Sequence, residues 1–276
     1  MADPVEDAVE DAVQDRPHRR VVRVGDTTRR PTYPWSAAVH ALLRHLEAVG
    51  FRYSPRLLGV DERGREVLTY LEGESGPAGW ARVVDDAGLV AFARLLREYH
   101  DAVAGFAPPA GSRWSTGQEG VGEGEVVCHG DFGPWNAVWR GGRPVGLLDW
   151  DHARPAPPLH DVAYALEYVA PFRDDAECVR WLRHPGPPDR RRRLELFAGA
   201  YGLTSTEGLV DAVIAVQRDT VERVRLLAAE GHQPQADLVA GGHLRELAAR
   251  VAWSEANRHL VDGVATLLPN WQNALP

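Results

Sequence analysis

The feature of this sequence that most limits what it can fold into is a change of hydrophobic period near residue 74. Before that point, short β-rich runs surround one helical stretch. The runs RVVRV and TTRRP flank Gly25-Asp26, a two-residue signature of a tight hairpin. Val39, Leu42, Leu43 and Leu46 then recur at spacings of three and four, which predicts a helix that Ser36 can cap and Gly50 can end. Two further strand patterns, at residues 56–60 and 66–71, enclose the turn sequence DERG. The segment GESGPAG reads as a linker. Beyond it helical periods dominate, at 85–103, 159–169, 190–201, 206–229 and 235–261, interrupted by short strands near 126–127, 137–139 and 145–148. The pattern predicts an α+β chain in two unequal parts: a small antiparallel-sheet lobe at 19–74 and a larger, mostly helical lobe at 75–276. Residues 1–18, with repeated Glu-Asp-Ala-Val units and no apolar face, are expected to form a disordered acidic tail.

Composition narrows the function classes. A net charge of -8 disfavours a nucleic-acid partner, whose phosphates call for clustered basic residues, and fits a neutral or cationic ligand. No stretch approaches the roughly 18 uninterrupted apolar residues of a membrane helix. The acidic N-terminus also lacks the basic-then-apolar order of a secretory signal, so a cytoplasmic protein without a membrane partner is expected. Cys128 and Cys178 have no zinc-like spacing, and Cys128, in an apolar strand, reads as core rather than nucleophile. The chain contains no Lys, so every phosphate-binding role open to lysine must fall to Arg.

The chemistry concentrates in VCHGDFGPWNAVWRGGRPVGLLDWD, residues 127–151. His129, Asp131 and Asn136 sit in a loop between apolar strands, and Asp149 closes the apolar run VGLL. Asp, Gly, Pro and Asn are ordinary turn formers, which is the plain explanation for any one of them. Together they bring three side-chain oxygen donors to one loop face. Phosphoryl transfer uses such a set: a carboxylate to orient the attacking hydroxyl, and hard oxygens to hold magnesium on the phosphates.

The order His-x-Asp, Asn five residues after the Asp, and an Asp closing the next hairpin matches kinase catalytic and metal-binding motifs. In the form His-Gly-Asp with Asp-Trp-Asp, it resembles the aminoglycoside phosphotransferases and their small-molecule kinase relatives. The resemblance runs from the hairpin at residue 20 to the last helices. It implies a protein-kinase-like two-lobed fold, with Asp131 as catalytic base, Asn136 and Asp149 as Mg2+ ligands, and His129 packed beneath the loop. Asp161, in PPLHDVAYAL, would begin a helix and bond back to the loop. Asp151 would either support a metal ligand or lie on the surface, and Trp135 could abut the substrate. ATP or GTP would be the donor and a hydroxylated small molecule the acceptor. A peptide Ser or Thr is a further acceptor the resemblance allows, and a kinase-fold binding protein without turnover is the alternative.

The small lobe departs from that family pattern. Arg29 or Arg30 must replace the strand lysine, and the following helix offers His40, Arg44 and Glu47 but no clear acidic partner. The backbone near Tyr70 and Glu72 could meet an adenine edge. A first strand and a glycine-rich phosphate cover are not visible upstream of the hairpin, so the lobe is expected to be reduced. RRRR at 190–193 reads as a solvated helix start, and Asp211, Glu222, Glu246 and Glu255 as a solvated acidic face.

Overall fold

The computed structural model describes residues 11–16, 19–263 and 266–267. The small lobe is a five-stranded antiparallel sheet. Its strands β1 (Asp11–Arg16), β2 (Arg19–Val24) and β3 (Thr27–Pro31) precede helix α1 (Ser36–Ala48), and β4 (Leu57–Val60) and β5 (Arg65–Thr69) follow it. The spatial order is β1-β2-β3-β5-β4. β1 corrects the expected tail and the expected reduction of the lobe. Residues 11–16 pair with β2 from Asp11↔Arg23 to Arg16↔Arg19, because a ladder of backbone hydrogen bonds needs no apolar pattern to form. The rest of the expected tail, residues 1–10 and 17–18, lies outside the described residues.

The β2–β3 turn forms at Gly25-Asp26, with Gly25 at φ +59°. α1 buries Ala38, Val39, Leu42, Leu43 and Leu46, the stripe the sequence predicts. Its start differs from expectation. Trp35 occupies the cap position without a side-chain bond, and the Ser36 hydroxyl instead accepts from the Tyr33 amide at 2.8 Å. Gly50 ends the helix at φ +78°.

The large lobe begins with the short helix α2 (Gly79–Arg82) and the long α3 (Asp86–Val103), whose cap Asp85 accepts from the Gly88 amide. Two small antiparallel ribbons follow. One pairs β6 (Val126–Cys128) with β9 (Arg154–Ala156), and between them β7 (Ala137–Arg140) pairs with β8 (Arg143–Leu147). The helices α4 (Leu159–Val169), α5 (Asp175–Arg180), α6 (Arg190–Tyr201), α7 (Leu209–Ala229), α8 (Gln235–Ala240) and α9 (His243–Ala256) complete the lobe. The helix expected at 235–261 is broken at Gly241-Gly242, where Gly242 adopts φ +93°.

One core spans both lobes. It joins Leu42, Leu43 and Leu46 of α1 to Leu89, Phe92 and Leu96 of α3, to Phe132 and Trp150 beside the loop, and to Phe197 of α6. The arginine run at 190–193 is not simply solvated. Arg190 donates to the Pro171 and Arg173 carbonyls and Arg193 to those of Val169, Val83 and Val84, while Arg191 and Arg192 stay at the surface. A helical period of three residues explains this division, since Arg190 and Arg193 share a face.

Candidate active site

The loop after β6 is held from below by one carboxylate. Asp161, in the first turn of α4 and fully buried, accepts from the His129 amide at 2.6 Å and the Gly130 amide at 2.9 Å. His100 of α3 stands 3.2 Å from the same carboxylate through Nε2, with Nδ1 at 2.7 Å from the Tyr201 hydroxyl. Burial alone would push the Asp161 pKa up, but the hydrogen bond and charge of His100, with His160 and His129, bring it to about 2. Gly130 lies at φ +76°, and a β-carbon there would sit 2.0 Å from the His152 carbonyl oxygen. A side chain at this position would collide with backbone, which accounts for glycine between His129 and Asp131.

His129 is buried and positions rather than titrates. Its Nε2 meets the Leu148 carbonyl at 2.9 Å and its Nδ1 accepts from the Asp131 amide at 3.3 Å, the pattern of a neutral ring. Burial lowers its pKa accordingly. Asp131 is thereby fixed at the loop tip. Its carboxylate accepts from Tyr164 Oη, from Asn136 Nδ2 at 2.8 Å and, weakly, from Trp135 Nε1 at 3.5 Å. Asn136 also donates from Nδ2 to the Asp131 carbonyl at 2.8 Å, which orients its amide and leaves Oδ1 out of these two bonds. Burial first, then the Asp131 charge, raises the Tyr164 pKa well above its usual value and keeps the phenol a donor.

Asp149 follows β8 in the left-handed conformation, at φ 65° and ψ 66°, a backbone state that Asp tolerates better than most residues. It lies 3.9 Å from Nη1 of Arg30, which reaches it from the small lobe. Arg30 also contacts Glu66 through Nε, as a close ion pair rather than an aligned hydrogen bond, and Asp151 through Nη2. Arg30 and Glu66 face each other directly across β3 and β5. Glu66 in turn meets His40 of α1 at 2.8 Å. A buried guanidinium thus faces three carboxylates drawn from both lobes.

Comparison with known proteins places this geometry. The model of the phosphotransferase enzyme family matches residues 118–196, the stretch that holds the loop, Asp149 and Asp161. A trifolitoxin immunity protein from Rhizobium leguminosarum bv. trifolii is 39% identical over 201 residues, which cover 70% of this chain and 75% of that protein. This chain belongs to the phosphotransferase enzyme family. Two solved structures share its fold at low identity. The GDP complex of aminoglycoside 2'-phosphotransferase-IIIa aligns at TM-score 0.57 and 14% identity over 91% of this chain and 93% of that one. The amicoumacin kinase hAmiN, in complex with AMP-PNP, Ca2+ and Ami, aligns at TM-score 0.57 and 12% identity over 90% and 88%. The chain therefore has the kinase-like fold of this family, with a small antiparallel N-terminal sheet and a helical C-terminal part.

Of the residues expected at the site, Asp131 and Asn136 bond each other, Arg30 meets Asp149 and Asp151, and His129 and Asp161 lie buried beneath the loop. Arg29 joins none of these. Strand alternation turns it to the opposite face of β3, where it lies 3.9 Å from Asp61. Asp151 is buried against Arg30, which removes the surface alternative. Glu47 is exposed and lies near Arg56 at 3.5 Å, so it does not pair with the strand cation. Glu72 pairs with Arg23 at 2.7 Å, and the Arg23 guanidinium lies 3.9 Å from the centre of the Tyr70 ring. The Tyr70 amide is taken by the Asp26 carbonyl at 2.8 Å, which ties the segment between the lobes to the β2–β3 turn. Sequence reasoning named His40 without a partner and missed Glu66, Tyr164 and His100. Glu66 was open to discovery, since it shares strand parity with the inward Leu68 in a position where an apolar residue is expected.

Proposed function

We propose that this protein transfers the γ-phosphate of ATP or GTP to a hydroxyl of a small molecule. One observation carries the reading: Asp131, Asn136 and Asp149 lie on one loop-hairpin segment that Arg30 of the small lobe reaches at Asp149, with Asp131 fixed by its Asn136 and Tyr164 hydrogen bonds. Asp131 would orient the acceptor hydroxyl and take up its proton as the acceptor oxygen displaces the nucleoside diphosphate from the γ-phosphorus. Arg30 would stand where the strand lysine of kinases stands and meet phosphate oxygens through its fork.

The donor set suits magnesium. One guanidinium among three carboxylates leaves local negative charge to be balanced, and the Asn136 amide oxygen and the Asp149 carboxylate are hard oxygen ligands. Bound there, the ion would neutralise charge on the donor phosphates. Asp161 and His129 contribute by rigidity, which holds the Asp131 carboxylate in place before substrate arrives.

A kinase-fold protein that binds a ligand without turnover is the second reading. It is favoured by the engagement of Arg30 with Glu66 and Asp151 and by the similarity to an immunity protein. Transfer of labelled γ-phosphate to a panel of hydroxylated small molecules separates the two. The first reading expects transfer by wild type and a loss of about 10²–10⁴-fold in Asp131→Asn with nucleotide binding retained. Nucleotide binding by wild type with no labelled product from any acceptor would favour the second.

A further inference from the structure

The large lobe sets two arginines, Arg154 and Arg223, near Asp131 and Asp219. Helix α4 carries His160 and Tyr164 four residues apart, on one face, and packs against α7, which carries Asp219 and Arg223 four residues apart. Tyr164 bonds Asp131, so this pair of faces abuts the proposed base. Arg154 of β9 closes the third side. Its Nη2 lies 3.0 Å from Asp219 Oδ2 and 3.1 Å from His160 Nε2, and its buried Nε has no hydrogen-bond partner.

Arg223 differs from Arg30 and Arg154. Among the described residues it forms no hydrogen bond and no ion pair within 4 Å, although it lies within electrostatic reach of Arg154, Tyr164, Asp219 and Asp131. Burial lowers its pKa, and the nearby Arg154 charge adds to the effect. Asp219 is half-exposed and already occupied by Arg154. Arg223 is partly exposed and none of its nitrogens is buried without a partner, so its donors face solvent unclaimed by the protein. An anionic ligand group could take up these open donors beside Arg154.

We infer that the acceptor carries a carboxylate or phosphate group besides its hydroxyl, and that Arg223, with Arg154, holds this anion while the hydroxyl faces Asp131. The inference rests on the phosphotransferase reading for the hydroxyl and on Arg223 alone for the anion. It replaces the expectation of a neutral or cationic ligand drawn from net charge.

Four probes on one three-carbon frame test it: D-glycerate, glycerol 3-phosphate, glycerol and 3-amino-1,2-propanediol. Each is titrated calorimetrically into wild type, Arg223→Gln and Arg223→Lys, and MgATP is titrated into the same proteins. The expected result is binding of at least one anion more tightly than glycerol or the amine. That affinity should fall roughly ten- to a hundredfold in Arg223→Gln and recover in part in Arg223→Lys, with MgATP binding unchanged. Preference between glycerate and glycerol 3-phosphate separates a carboxylate from a phosphate. Anions that bind no better than glycerol, or as well to Arg223→Gln as to wild type, overturn the inference. Failure of MgATP to bind wild type, with Arg223-dependent anion binding intact, would instead overturn the phosphotransferase reading and leave the anion site standing.

Discussion

Replacing Asp161 by Asn isolates the support beneath the loop that carries His129, Gly130 and Asp131. The carboxylate accepts two backbone amides and faces His100, with no exposure to solvent. Asn offers one acceptor oxygen, so its amide group must oppose one of those backbone donors. Loss of a buried, paired charge of this kind costs roughly 3–5 kcal/mol. For a chain of this size that corresponds to a fall in Tm of roughly 6–15 °C. The pH dependence adds a sharper condition. The folded pKa of about 2 lies below the unfolded value near 3.9, so the charge contributes stability above pH 4 that is lost as pH falls through 2. That contribution amounts to about 2–3 kcal/mol, and about half of it is gone by pH 3. Urea unfolding of both proteins between pH 7 and pH 3 should show the gap between them narrowing by this amount. A gap under about 1 kcal/mol at pH 7, or one that does not change on acidification, would refute the reasoning.

Three other outcomes follow from the geometry. Gly130→Ala should lose at least about 2–3 kcal/mol in urea unfolding, because its β-carbon meets the His152 carbonyl and its φ is left-handed. Arg30→Met should cost roughly 3–5 kcal/mol by stranding Glu66 and Asp151, while Arg30→Lys should recover part of that in the same assay. Cys128 and Cys178 are buried with thiol pKa values pushed up, chiefly by burial, so a disulfide reagent at pH 8 should leave both untouched until denaturant is added.

The spacing of His129, Asp131, Asn136 and Asp149 was legible because those residues lie on one continuous loop-hairpin segment, where sequence distance fixes spatial order. Helix α4 was legible to the residue, since its apolar period is uninterrupted between Pro158 and Ala170. Glu66 was harder to place. It sits 36 positions after Arg30, and only the register of β3 against β5 brings the two together. β1 and β9 were hidden for a related reason: one pairs through its backbone at a sheet edge, and the other is too short, at three residues, to show alternation.

Asp149, Asn136 and Arg30 are proposed to form a nucleotide site that depends on a metal ion. Calorimetric titration of ATP and GTP, with and without magnesium, into wild type and Asp149→Ala tests it most directly. The account predicts magnesium-dependent binding of at least one nucleotide by wild type and its loss in the variant. Binding indifferent to magnesium, equal binding by Asp149→Ala, or no binding at millimolar nucleotide would contradict it.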